Sequence, residues 1–349
     1  MAKRITIKDI AQQAGVSTGT VDRVLHNRGN VSKRSRSAIE KVLMQSGYVS
    51  EAYFAPSAKP CVLAVLTPSS TIGDYWSALY EGIKRALSSL DYPGLSLEFF
   101  HYNQFDVYSC LAAQGLVLKR KPDGVILGPT FMEEAQRFCA SLEDYGIPYV
   151  FVDSHFDGTS PLAFFSIDQI AGGKALAHLI CACTSEGSKL AVFESRRSDE
   201  RFSSNSFVRR DGFMEYLDEV GRSGDLVKSC YTSTLPYENE KTVKRLLEEY
   251  SDLGGIAVLN SRGSDIADVL EKIGRQDIKL ISFDLTMRNT EHLRRGTILA
   301  LLCQHPLRQG YMAATTLVQY LMLGKTPETV QNYCPIDIIL KETIDHYKE

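Results

Sequence analysis

The residues of this chain best suited to chemistry stand where apolar runs end. Asp153 follows Tyr-Val-Phe-Val, Asn260 follows Ile-Ala-Val-Leu, Asp284 follows Leu-Ile-Ser-Phe and Gln304 follows Ala-Leu-Leu-Cys. Tyr75 and Trp76, the latter the sole tryptophan, open a stretch of helical period after the first such run. Arg209 stands three residues before Gly212, near the start of another. Aromatic faces to cover an apolar ring surface, with carboxylates, amides and one guanidinium to bond hydroxyls, suit a sugar-like ligand. Asp153 and Asp284 could instead be an acid/base pair across a cleft, as in a glycoside or nucleoside hydrolase. The chain has no P-loop, Gly-x-Gly-x-x-Gly or His/Cys metal spacing to support catalysis. The expectation is therefore a binding protein with no cofactor, no metal and no enzymatic activity.

A second set of reactive groups lies at the N-terminus. Residues 1–60 hold ten Lys or Arg against four Asp or Glu, a local charge of +6, whereas the whole chain carries −3, leaving −9 for the remaining 289 residues. A basic head on an acidic body suggests that one end meets a polyanion. Within the head, Thr6 and Asp9 form a capping-box pattern that opens a helix through Ala14, and Gly15 supplies a turn. Ser17 is a suitable N-cap for a second helix, Thr18 to Leu25, with Val21, Val24 and Leu25 on one stripe. Ser32 caps a third that ends before Gly47. Two short helices joined by a Gly-bearing turn have the layout of a helix-turn-helix. Thr18, Gly19, Asp22 and Arg23 lie off the apolar stripe of the second helix. A major groove about 12 Å wide admits one such helix, and Arg23 is the best candidate for a bidentate contact to guanine.

The body must position the first set. From Cys61 onward, apolar runs alternate with amphipathic stretches: Cys61–Thr67, Leu95–Tyr102, Gly124–Gly128, Tyr149–Asp153, Leu190–Glu194, Val227–Tyr231, Gly255–Asn260, Leu280–Asp284 and Ile298–Gln304. Short, nearly continuous apolar strands between helices predict parallel sheets covered on both faces. Such a body is large for a single sheet, which predicts two lobes. In open α/β sheets a ligand binds beyond the carboxyl ends of strands, where the polar residues collect. The N-terminus shows no secretory signal, and no run approaches the ~18 apolar residues of a membrane span. The eight cysteines are scattered with no Cys-x-x-Cys pair, the pattern of buried free thiols in a reducing cytoplasm.

The run Ile7-Lys-Asp-Ile-Ala-Gln-Gln-Ala-Gly-Val-Ser-Thr-Gly-Thr-Val-Asp-Arg-Val-Leu, with Gly47-Tyr48 closing the third helix, resembles the headpiece of the lactose-repressor (LacI/GalR) family. The resemblance implies a dimer that sets two recognition helices in successive major grooves of a pseudo-palindromic operator. Thr18, Gly19 and Arg23 would then face bases, and Ser17, Asn27, Ser32 and Tyr48 would approach phosphates. Asp22 takes a slot where the family usually has Ser; a carboxylate there pairs with a neighbouring Arg or accepts from a cytosine amino group. The body resembles the periplasmic sugar-binding-protein fold with Rossmann-like lobes that the same family uses for effector sensing. By that resemblance Tyr75 and Trp76 match the aromatic pair, Asp153 the strand-end carboxylate and Arg209 the hydroxyl-binding arginine. Asn260, Asp284 and Gln304 match the polar residues of the second lobe and hinge, and Asp168 is a weaker match. Gly73 stands where an asparagine is common and Ser261 where aspartate is.

The resulting organisation is a headpiece over residues 1–48, a linker over 49–60 and an effector-binding and dimerisation body over 61–349. The lobes are expected as 61–184 with 288–323, and 185–287 with 324–349. In the family the linker folds on DNA and a leucine nine residues after the Gly-Tyr tyrosine wedges into the minor groove; here that position is Ser57, preceded by Ala55-Pro56. Pro56 supplies no amide and holds Ala55 away from the α region. Tyr53 or Phe54 could take the wedge's place, or the segment could be a plain tether, so operator bending is expected to be modest. The whole reads as a cytoplasmic, allosteric repressor answering to a small, neutral, polyhydroxylated effector.

Overall fold

A computed structural model of the chain describes residues 6–25, 31–46, 60–90, 92, 94–195 and 204–347. The described residues of Met1–Val62 and Leu87–Leu97 form one compact unit, and those of Leu63–Ala86 and Glu98–Glu349 form another.

In the first unit, α1 (Ile7–Ala14), α2 (Thr18–Leu25) and α3 (Lys33–Ser46) fold around Ile10, Val21, Val24, Leu25, Ile39, Val42 and Leu43. The capping box is present: Asp9 N donates to Thr6 Oγ1 and Thr6 N to the Asp9 carboxylate. Gly15 ends α1 at φ +65°, a conformation that costs glycine little. Cys61 and Leu87–Leu97 group with this unit, and Cys61 N donates to Gly94 O at 2.9 Å. The linker expectations at Tyr53, Phe54, Pro56 and Ser57 lie outside the described residues.

The second unit holds two six-stranded sheets, apart from Cys61, Val62 and Leu87–Leu97, which group with the first. Its elements run β1 (Cys61–Pro68), α4 (Tyr75–Leu90), β2 (Leu95–Tyr102), α5 (Val107–Arg120), β3 (Gly124–Leu127), α6 (Met132–Asp144), β4 (Tyr149–Val152), β5 (Ala163–Ser166) and α7 (Gln169–Ala182). Then come β6 (Lys189–Ser195), α8 (Ser204–Glu219), β7 (Leu226–Tyr231), α9 (Pro236–Glu249), β8 (Leu253–Val258), α10 (Gly263–Ile273), β9 (Lys279–Phe283) and α11 (Met287–Arg295). The last are β10 (Ala300–Cys303), α12 (Pro306–Leu323), β11 (Gln331–Tyr333) and β12 (Asp337–Ile339). The first sheet has the order β11-β5-β4-β3-β1-β2 and the second β12-β10-β9-β8-β6-β7. Pairing is parallel between β1, β3, β4, β5 and β11, and between β7, β6, β8, β9 and β10; β12 runs antiparallel to β10.

The lobes are divided differently from the expectation in three places. Helix α7 belongs with the second sheet, because Leu176, Ala177 and Ile180 share a core with Leu190, Val192, Ala257 and Ile281. Strand β10 also lies there, with Ala300 opposite Ile281. Strand β11 returns to the first sheet, with Gln331 opposite Phe164. The chain thus crosses between lobes after β5, after β10 and after β11. Hydrophobic periodicity reports which face of an element is buried and says nothing about which of two similar sheets it joins.

Each lobe contains a helix pair that crosses on reciprocal glycines. A Cβ at Gly173 of α7 would lie 2.0 Å from Arg209 O, and one at Gly212 of α8 would lie 2.2 Å from Ile170 O. In the other lobe a Cβ at Gly82 of α4 would lie 1.9 Å from Leu307 O, and one at Gly310 of α12 would lie 2.1 Å from Leu79 O. Because the obstacle is backbone, no rotamer change relieves it. Gly173→Ala is expected to lower stability by about 3 kcal/mol through forced separation of the helices. Gly115→Ala in α5, where a Cβ meets nothing within 4 Å, is expected to gain up to about 1 kcal/mol. Urea unfolding midpoints of the two variants test the contrast.

Candidate functional site

The strand ends of the two sheets face one another across a cleft that encloses about 220 Å³. Tyr75, Trp76, Asp153, Arg209, Asn260, Asp284 and Gln304 all line it. Asp153 and Asp284 follow β4 and β9 at φ +68° and +65°, a left-handed conformation that a short polar side chain tolerates at a tight turn.

Arg209, on α8, is the buried centre. Its Nε donates to Gln169 Oε1 at 2.6 Å, Nη1 to Leu259 O at 2.8 Å and Nη2 to Gln304 Oε1 at 2.5 Å. The guanidinium lies 4.2 Å from the Phe283 ring centroid. A guanidinium has five N–H donors, so two remain beyond these three bonds. The Gln304 amide carries the chain of bonds onward, its Nε2 donating to Asp284 Oδ2 at 2.7 Å. Burial pushes the Asp284 carboxyl up to about 7, opposed by Arg209. Burial likewise raises Asp153, again against the pull of Arg209, and lowers Arg209 itself.

The aromatic pair is fixed from below. Trp76 is 8% exposed and its ring lies against the backbone of Gly128, where a Cβ would come within 2.6 Å of the indole. Tyr75 and Trp76 meet edge to face at 5.2 Å, and Tyr75 Oη donates to Gln309 Oε1 at 3.1 Å.

Asp168 stands apart from these residues and corrects the sequence reading by one position. It is exposed, and its carboxylate accepts from Ala171 N at 3.0 Å as the N-cap of α7. The neighbouring Gln169 is the one that reaches inward, bonding Arg209, Ser166 and the Asp153 carbonyl. Sequence reasoning also missed Gln309, Asn205 and Asn289. Gln309 is fully buried and accepts from Asp153 N at 3.1 Å while donating to Gln304 O at 2.8 Å. Asn205 Nδ2 donates across the lobes to Asp153 Oδ2 at 3.0 Å; it precedes Arg209 by one helical turn, the one signal that could have found it. Asn289 Nδ2 bonds the carbonyls of Ser261, Phe283 and Asp284, and its Oδ1 accepts from Ser264 N. At the rim, Met287 N donates to Gly73 O at 2.8 Å. Gly73 has φ +82°, and a Cβ there would meet Met287 Cβ at 2.8 Å. The side chain lost at this position thus makes room for a backbone bond between lobes.

In the three-helix unit, Thr18, Gly19 and Arg23 are exposed and Asp22 is half-buried. Arg23 Nε donates to Gly19 O at 3.3 Å. Ser17 and Ser32 accept from Thr20 N and Ser35 N, each at 3.1 Å, capping α2 and α3. Asn27 and Tyr48 lie outside the described residues.

A model for the periplasmic binding protein domain matches residues 63–326, and one for bacterial regulatory proteins of the lacI family matches residues 6–51. The chain belongs to the lacI family of bacterial regulators. As a member of that family it is a DNA-binding transcriptional regulator with a two-lobed sensor body. A sucrose operon repressor of Lactococcus lactis subsp. lactis is 24% identical over 287 residues, covering 81% of this chain and 83% of the relative. The HTH-type transcriptional regulator TreR of Escherichia coli K12 is 48% identical over 48 residues, 14% of this chain and 15% of that one. The crystal structure of a LacI transcriptional regulator from Bacteroides fragilis superposes with a TM-score of 0.79 at 28% identity, covering 83% of this chain and all (100%) of that one. LacI-family membership accounts for the basic head and the sheet-end cleft together.

Proposed function

We propose that this regulator is a cytoplasmic, homodimeric repressor, without enzymatic activity, whose operator affinity is set by a sugar or sugar derivative held in the cleft. The observation that carries the reading is the convergence of Arg209, Asp153, Asp284, Gln304 and the Tyr75–Trp76 pair on one cavity. Buried acceptors and donors there await hydroxyls, and an indole wall suits the apolar face of a ring. The kinship with a sucrose operon repressor supports a carbohydrate. No helix among the described residues is long and apolar enough to cross a membrane. A ligand that prefers one lobe closure changes operator affinity by the ratio of its affinities for the two states, and DNA changes the ligand's affinity by the same factor.

The test is a thermal-shift screen of sugars and sugar derivatives on the full chain, followed by operator binding with and without the hit. A hit that leaves operator affinity unchanged would sink the coupling. Two narrower outcomes are expected. Arg23→Ala removes about 1–3 kcal/mol of operator preference while salt-sensitive, non-specific binding remains; unchanged discrimination between operator and scrambled DNA rules the contact out. Effector binding alters the emission of Trp76, the sole tryptophan, and Trp76→Ala weakens the effector; a saturating ligand that does neither places it elsewhere.

A further inference from the structure

Among the described residues three arginines line the cleft: Arg209, Arg262 and Arg288. Arg209 is committed to the hinge network described above and faces Asp153 and Asp284. Arg288 is held by Asp265, at 2.9 Å, and by Asp268. Of the acids, Asp74 is spent on the amides of Thr71 and Ser77. Arg262 is different: half-buried in the wall, its guanidinium has no hydrogen-bond or ion-pair partner among the described residues.

Its backbone, in contrast, is fixed. Arg262 N donates to Asn260 Oδ1 at 3.1 Å, Asp265 N donates to Arg262 O at 3.1 Å, and Asn289 ties down Ser261 and Ser264 on either side. Asn260 Oδ1 is further occupied by Tyr231 Oη at 2.7 Å, so among the described residues the amide NH₂ is the part of Asn260 left to offer. This wall therefore presents donors and positive charge: the Asn260 amide, the Ser261 hydroxyl and the Arg262 guanidinium. The hinge side presents the Asp153 and Asp284 carboxylates. A cation held partly out of water on a rigid loop, with no counter-charge among the described residues, gains most from a ligand that supplies one, and a guanidinium pairs with phosphate or carboxylate through two parallel bonds.

We infer that the effector carries an anionic group, phosphate or carboxylate, at the end opposite the hydroxyls that meet the hinge, and that Arg262 is the residue that selects it. The inference rests on the reading of the cleft as a sugar site and replaces the neutral ligand that composition suggested with a sugar phosphate or sugar acid.

The test uses the full chain and matched panels of free pentoses and hexoses, their terminal phosphates and the corresponding uronic acids, titrated by calorimetry. One anionic member is expected to bind at least tenfold more tightly than its neutral parent, with an affinity that falls as salt rises. Whether that member is the phosphate or the uronate identifies the group. Arg262→Gln is expected to bring anion and parent within about twofold of one another without changing the melting temperature of the unliganded chain, and Arg262→Lys to keep part of the preference. Neutral sugars that bind as tightly as their anionic partners, or a preference that survives Arg262→Gln, overturn the role of Arg262 and leave the sugar site standing. Binding of no member of any panel overturns both.

Discussion

Arg209→Ala is expected to abolish effector binding and to lower the stability of the body by about 3–5 kcal/mol, because it strands the buried Asp284 and half-buried Asp153 carboxyls without their counter-charge. The loss is broader than one charge. Gln169 Oε1, Leu259 O and Gln304 Oε1 each lose a donor, and the Phe283 ring loses its stacked cation. In a domain this large each 1 kcal/mol moves the melting temperature by roughly 2–4 °C, so a fall on the order of 10 °C is expected by scanning fluorimetry. Arg209→Lys keeps the charge but supplies three rotatable donors in place of a planar fork; it is expected to recover part of the stability and little of the affinity. A variant that melts with the unaltered chain would show that the guanidinium does not tie the ends of β8 and β10 together.

The second large effect is a proton released on binding. Burial raises the Asp284 carboxyl from 3.8 to about 7, so the folded chain keeps this proton across a window in which the unfolded chain has already lost it. The folded state binds more protons there, and stability accordingly falls as pH rises from about 4 to 7. Asp153 is raised in the same direction and adds to the slope. Ligand hydroxyls donate to a carboxylate and favour its ionised form, so effector binding expels the proton. Affinity is expected to rise by up to tenfold per pH unit between about pH 5 and 7 and to level off above. Asp284→Asn removes most of that dependence and most of the falling stability. Calorimetry in buffers of different ionisation heat reads the proton directly, and equal affinities at pH 5.5 and 7.5 would falsify the linkage.

Much of this was legible in the sequence because strand ends announce themselves. An apolar run broken by Asp, Asn or Gln marks the point where backbone leaves the sheet, and that is where Asp153, Asn260, Asp284 and Gln304 stand. The helices of the headpiece were equally visible through Thr6, Ser17 and Ser32, whose hydroxyls the caps require. What was not legible depends on partners distant in the chain. Gln309 is an ordinary amide until folding places it beside Tyr75 and Asp153, and Gln169 drew no notice beside Asp168, whose carboxylate the helix terminus consumes. The assignment of α7, β10 and β11 to lobes failed for a related reason: an amphipathic helix shows only which face it buries, and three- and four-residue strands carry too little pattern to reveal their neighbour. Charge balance misled in its own way. The body's overall acidity concealed one arginine, Arg262, that has no counter-ion among the described residues.

The glycine crossings have a mechanical consequence. A contact between two side chains has slack, since rotamers can shift and absorb a displacement before either backbone moves. Where Gly173 rests on the Arg209 carbonyl and Gly82 on that of Leu307, there is nothing to absorb it. Helix α8 carries Arg209 and helix α7 carries Gln169; α4 carries Tyr75 and Trp76, while α12 carries Gln309. Each lobe thus mounts its share of the cleft on a single stiff girder. A ligand that draws Arg209 or Tyr75 by a fraction of an ångström must turn the whole pair or none of it, so small forces at the pocket are spent on rotating lobes about their three shared strands of chain and not on local repacking.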